Sequence, residues 1–314
     1  MKKLLCLAIC LTFLLPLLSA CSKKSVTLGL GVVVSTSSSK AEISVTAAAV
    51  TFKANGRIGK CEIDTLSTSA SMKNGVFTIP TSFKTKGELG DDYNMVTYGN
   101  SRAEWYEQRD AFCEFVVGKT VDQVRTAIDT TGKGTDPALT STCTINVSDF
   151  LSALVRAEKN AKECNAKSGD ELRLAFYTTD NGSSLGENGG KYGINCNVGA
   201  FTVNDGKVTA AAIDTADVSV SLKADGTPTA SQAQQLTKRQ KGDSYGMYGS
   251  AWGSTLAEWY TQVDAFEAFI CGKTEAEILG LEGEGGKTNN EDLKASCTIA
   301  ISDFCKLVDK IFTP

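Results

Sequence analysis

The chain has 314 residues, a formal charge of −4 and no histidine. The missing histidine excludes a Ser-His-Asp triad, a His-ligated haem and a His-based metal site. The acidic balance argues against a nucleic-acid footprint, and a hydrophobic content of 42% is ample for packed cores.

Residues 1–20 place Lys2 and Lys3 before an apolar run that ends in small residues, which is the pattern of a secretion signal. Cys21 follows directly, and Leu-Ser-Ala-Cys across 18–21 resembles the lipobox of bacterial lipoproteins. That resemblance implies an acylated Cys21, with palmitate-type chains holding the protein at the extracellular face of the cell membrane. Residues 21–27 then read as a lipid-anchored stalk. No second apolar run of membrane-spanning length follows, so the rest of the chain is expected outside the bilayer.

The body opens with β-branched and apolar segments at 26–36, 41–53 and 57–66. A polar turn at 37–40 and Asn55-Gly56 separate them, and Asn74-Gly75 introduces a short strand at 76–79. These segments predict an antiparallel sheet with one covered face. A helix follows over 103–117, with Trp105, Phe112 and Val116 on one side. Gly118 suits the helix C-terminus, and Thr120 suits the cap of a short helix over 121–129. A Walker reading of Gly-Lys-Thr at 118–120 fails, because the triplet follows a helix and lacks the preceding glycine. After a polar loop, Ser148 is expected to cap a last helix with Leu151, Leu154 and Val155 on its apolar face.

The same series then runs again. Strands are expected at 172–178, 192–203 and 207–219, a Gly-rich loop at 182–190 and a turn at Asp205-Gly206. AEWYTQVDAFEAFICGKT at 257–274 repeats AEWYEQRDAFCEFVVGKT at 103–120 with an offset of 154. Cys143, Thr144 and Ser148-Asp149-Phe150 recur at the same offset as Cys297, Thr298 and Ser302-Asp303-Phe304. The expectation is an α+β fold of two tandem repeats, 28–165 and 168–314. Each is an antiparallel sheet packed with a long amphipathic helix and a C-terminal helix. The run 160–171 is read as a helix end and Ser-Gly break at the boundary.

The candidate site is the segment before each last helix. Thr144 and Thr298 are hydroxyls near a helix N-terminus, where free N–H groups and the helix dipole favour a phosphate. Ser141-Thr142-Cys143 and Ala295-Ser296-Cys297 keep their surroundings small. Asp91, Tyr93, Asp243 and Tyr245 either line a pocket or form a solvated turn and a core edge. Trp105 and Trp259 have core spacing. The pairs Glu104/Asp110 and Glu258/Asp264 are not spaced to share a helical face, so a hydrolase is a poor reading.

Small-small-small-Thr followed by a Ser-led helix resembles the FMN-binding domain family, which has Ser-Gly-Ala-Thr at this place. Gly-Asp-x-Tyr-x-Met and Glu-Trp-Tyr-x-Gln, at 90–108 and 242–262, add to a likeness with duplicated, lipid-anchored flavoproteins of Gram-positive bacteria that carry out extracellular electron transfer. The resemblance implies FMN joined to Thr144 and Thr298 through a phosphoester, with Ser141, Cys143, Ser296 and Cys297 beside it. It also implies a flavin transferase as partner and a membrane quinone or NADH dehydrogenase as electron donor. Ser141 matches the family's serine and Ala295 does not. The alternative is a surface binding or adhesion lipoprotein with two degenerate domains of this type and no cofactor, using loops at 132–140 and 180–191.

Eight cysteines remain beyond residue 21, and only Cys143 and Cys297 match across the repeat. The expectation is mostly free thiols in the core.

Overall fold

The computed structural model describes residues 24–229, 235–251, 253–254 and 256–313. The leader and the expected lipidation site at Cys21 lie outside the described residues.

The chain begins with three long strands, β1 (Ser25–Thr36), β2 (Glu42–Lys53) and β3 (Ile58–Ser69), followed by a small hairpin of β4 (Ser71–Lys73) and β5 (Val76–Thr78). Helices α1 (Lys86–Leu89), α2 (Met95–Gly99), α3 (Trp105–Val116), α4 (Val121–Thr126), α5 (Pro137–Thr140) and α6 (Ser148–Lys159) come next. Strands β6 (Lys162–Lys167), β7 (Glu171–Asp180), β8 (Ser184–Gly186), β9 (Gly189–Asn204) and β10 (Lys207–Leu222) follow. The chain closes with α7 (Lys238–Lys241), α8 (Trp259–Ile270), α9 (Glu275–Leu279), α10 (Glu291–Lys294) and α11 (Ser302–Phe312). The fold is mixed α+β with antiparallel sheets.

The first sheet has the order β3-β2-β1-β6, and the second has β10-β9-β7 with β8 on the end of β9. The sheets pack face to face. Ile43, Val45, Ala47 and Ala49 of β2 share one core with Ile194, Val198 and Ala200 of β9. The alternate residues of β2, Ala48, Val50 and Phe52, point the other way into a core with α3 and α6. Phe201 and Ile213 do the same toward α8 and α11. The layers therefore run helices, sheet, sheet, helices. The expectation of one covered face is corrected: both faces of β2 are buried, which is why its sequence reads as a nearly continuous apolar run.

Close approach of α6 to β1 depends on two glycines. A Cβ on Gly29 would lie 2.1 Å from the Ala157 carbonyl oxygen, and one on Gly31 would lie 1.9 Å from that of Ala153. The buried alanines on the helix and the bare backbone of the strand are two sides of one contact.

Two local expectations also change. The run at 160–171 contains strand β6, which pairs with β1 at Leu28↔Lys162 and Thr27↔Glu163. Ser148 and Ser302 are the first helical residues rather than caps; Val147 and Ile301 hold the cap positions. By contrast Thr120 and Thr274 do cap α4 and α9, each with a reciprocal bond from the third helical residue. Gly118 and Gly272, at φ of +81° and +83°, turn the chain just past α3 and α8.

Candidate functional site

Each threonine is fixed by a glutamine from the long helix. Gln108 lies one turn into α3 and is 1% exposed. Its side-chain nitrogen donates to Ser101 Oγ at 2.8 Å and to the Ala103 carbonyl at 3.0 Å. Its Oε1 then faces outward and accepts from the Thr144 amide at 2.9 Å and from Thr144 Oγ1 at 3.0 Å. Gln262 on α8 does the same. It donates to the Ala257 carbonyl at 2.8 Å and accepts from the Thr298 amide and hydroxyl at 2.9 and 3.1 Å. A buried carboxamide with its donors and acceptor engaged is rigid, so it sets the threonine rotamer. Both threonines are exposed.

The Thr144 carbonyl accepts from Lys133 Nζ at 2.7 Å. That ammonium sets a positive charge on the backbone of the same threonine. Lys287 occupies the position that corresponds to Lys133 at the offset of 154.

The small residues around the threonines divide by direction. Cys143 and Cys297 are buried in the two helical cores, and burial pushes both thiols up, Cys297 to about 11. Ser141 and Ser296 are exposed, and each hydroxyl donates back to a carbonyl of the preceding helix, Ala138 or Leu293, at 3.3 Å. The serines thus finish α5 and α10.

The amides that begin the last helices are partly engaged. Val147 N–H donates to the Gly132 carbonyl at 2.8 Å and Ser148 N–H to Asn146 Oδ1 at 2.9 Å. Ile301 N–H donates to the Gly286 carbonyl at 2.7 Å. Gly132 has φ +79°, and a Cβ there would lie 1.9 Å from Ser148 Oγ. These first amides are therefore turned to loop carbonyls and a side chain rather than toward the threonines.

The other candidate residues take structural places. Asp91 and Asp243 accept from the phenols of Tyr106 and Tyr260 at 3.1 and 2.9 Å. Tyr93 edges the first helical core under Lys86, whose Nζ is 5.0 Å from the ring centre. Trp105 and Trp259 are core residues packed edge-on or nearly so against Phe150 and Phe304. Glu104 accepts from the amides of Met95 and Val96, and Glu258 from those of Met247 and Tyr248, which steadies the segment before each long helix.

Two clefts lie where the sheets meet the helices of the opposite half. One, of about 700 Å³, is lined by Leu30, Arg156, Lys162, Asp214, Arg239 and Glu267. Arg239 pairs with Asp264 at 2.7 Å and Glu267 at 2.5 Å, and Lys162 also reaches Asp264 at 2.7 Å. Burial pushes the Glu267 carboxyl up to about 7 against the pull of Arg239. The other cleft, of about 670 Å³, is lined by Asp64, Thr85, Glu88, Phe176 and Lys310 among others. In the two clefts Asp64 and Asp214 each accept a threonine hydroxyl at 2.6 Å, from Thr85 and Thr237. Neither cleft is lined by Thr144 or Thr298.

Gln108 and Gln262 were the residues that sequence reasoning passed over. The available signal was their repeat at the same offset as the threonines, so that each glutamine precedes its threonine by 36 positions. No known protein family, curated protein or solved structure matches the chain.

Proposed function

We propose that the protein is a lipid-anchored extracellular electron carrier built from two copies of one α+β unit, at 28–165 and 168–314. FMN is joined through its phosphate to Thr144 and Thr298. The observation that carries this reading is the pairing of each exposed threonine with a buried glutamine. A hydroxyl that served only to cap a buried turn would have no need to face water. Here the side chain is held at the surface, where an enzyme can reach it, and the backbone amide keeps Gln Oε1 as partner after Oγ1 is esterified. Lys133 adds a charge that suits a phosphodiester at the first site. The flavin would supply one- or two-electron chemistry, and this chain supplies two fixed hydroxyls, a nearby ammonium and a tether.

The partners on this reading are a flavin transferase, a membrane quinone or NADH dehydrogenase as donor, and the bilayer through Cys21. The test is intact mass and peptide mapping after coexpression with a flavin transferase whose activity is verified on a control substrate. Flavin-phosphate adducts on Thr144 and Thr298 are the expected result; a colourless, unmodified chain overturns it.

A second reading is a cofactor-free surface binding lipoprotein. It is favoured by Ala295 in place of the family's serine and by the position of the two large clefts away from the threonines.

A further inference from the structure

Cys61 on β3 and Cys113 on α3 are neighbours, although they stand 52 positions apart and neither has a cysteine counterpart in the second half of the sequence. Helix α3 packs on β3, and both residues belong to the core between them. Cys113 lies close enough to the Cys61 thiol to disfavour its ionisation. Together they line a cleft of about 270 Å³ with Glu62, Asp64 and Arg109. They also line its neighbour of about 560 Å³ with Glu114 and Val117. Cys61 is half-buried and Cys113 is 8% exposed, so the pair sits at the rim of the core, where a small molecule can approach. Other described thiols are placed differently. Cys196, Cys297 and Cys305 are at most 1% exposed. Cys164 and Cys271 share a cleft, but their sulfurs are turned to the Val26 and Glu267 carbonyls.

We propose that Cys61 and Cys113 form a redox-responsive dithiol, which a low-molecular-weight disulfide converts into an internal disulfide tying β3 to α3. The Cys61 thiolate attacks one sulfur of the small disulfide and expels its other half as a thiolate. Cys113, as thiolate, then attacks the Cys61 sulfur of the mixed disulfide and expels the second half. Two electrons pass from the pair to the small disulfide, and the two thiol protons end on the released thiols. Nearby Cys113 and burial push the Cys61 thiol up, with Arg109 opposing, so the exchange accelerates as the solution becomes alkaline. The oxidised pair closes a covalent loop through the helix that carries Gln108. This inference does not depend on flavin attachment.

The full chain, purified under reducing conditions, is incubated with excess oxidised glutathione at mildly alkaline pH. Remaining thiols are then alkylated and the protein is digested without reduction. The expected product joins the Cys61 and Cys113 peptides through a disulfide, two hydrogens lighter than the pair of reduced peptides. Cys61→Ser and Cys113→Ser each abolish the linked peptide. The proposal is overturned if the unsubstituted chain returns both cysteines alkylated, bearing glutathione only, or bridged to other cysteines.

Discussion

The phenol of Tyr192 and the hydroxyl of Thr68 lie 2.7 Å apart between the two sheets. Tyr192 is 0% exposed and Thr68 7%, so this polar bond is sealed between the sheets. Tyr192→Phe keeps the ring and removes the partner, and it is expected to lower folding stability by about 1–2 kcal/mol. Urea denaturation of the two proteins measures the difference. An unchanged midpoint would show that the bond holds nothing together.

Gly31→Ala is expected to be far more damaging. The new methyl would enter the space of the Ala153 carbonyl, which is backbone and cannot swing aside. Either α6 lifts from β1 or the strand shifts, at a cost of about 3 kcal/mol or more. Gly56→Ala offers the contrast. Its Cβ meets nothing within 4 Å, and its penalty is confined to a φ of +74°. Thermal unfolding of both variants should rank them in that order.

At the threonine sites the glutamine matters more for the fold than the hydroxyl it holds. Thr144→Val leaves the amide bond to Gln108 in place and should cost less than about 1 kcal/mol. Gln108→Leu strands the Thr144 amide and deprives Ser101 and the Ala103 carbonyl of a partner, so a loss of about 2–3 kcal/mol is expected. Denaturation of the single and double variants would show strong coupling. Additive losses would mean that the pair does not act as a unit.

Glu62 predicts a pH dependence. Its carboxylate accepts from the Leu174 amide across the sheet edges at 2.9 Å. Burial nevertheless pushes its pKa from 4.5 to about 7. The unfolded chain therefore releases this proton before the folded one does. Wherever the unfolded state binds fewer protons, stability falls as pH rises, here between about 4.5 and 7. Glu62→Gln should remove about 1–3 kcal/mol of that fall. A variant whose stability curve tracks the unsubstituted protein across this window would refute the assignment.

The long strands and helices were legible because their residues follow local rules. Asn55-Gly56 and Asp205-Gly206 mark hairpins, and Trp105, Phe112 and Val116 mark the inner side of α3. The opposing sheet was not legible. Period-2 patterning tells a reader which face is covered only when the other face is wet, and both faces of β2 are dry. Strand β6 was hidden for the opposite reason. Half of its residues KECNAK are exposed and only Ala166 is buried, and only pairing with β1 makes them a strand. Gln108 was hidden because a polar residue on an amphipathic helix normally points to solvent, and nothing local reveals that this one is turned inward toward the Thr144 loop.

Strand β6 also governs how the molecule can be divided. A fragment that stops after Lys159 would lose the outer neighbour of β1 and bare the backbone donors and acceptors of its first residues, Ser25 to Leu28. Such an edge invites intermolecular pairing. A recombinant N-terminal half therefore needs its terminus beyond Lys167, where Ser168 N–H still reaches the Lys24 carbonyl at 2.8 Å.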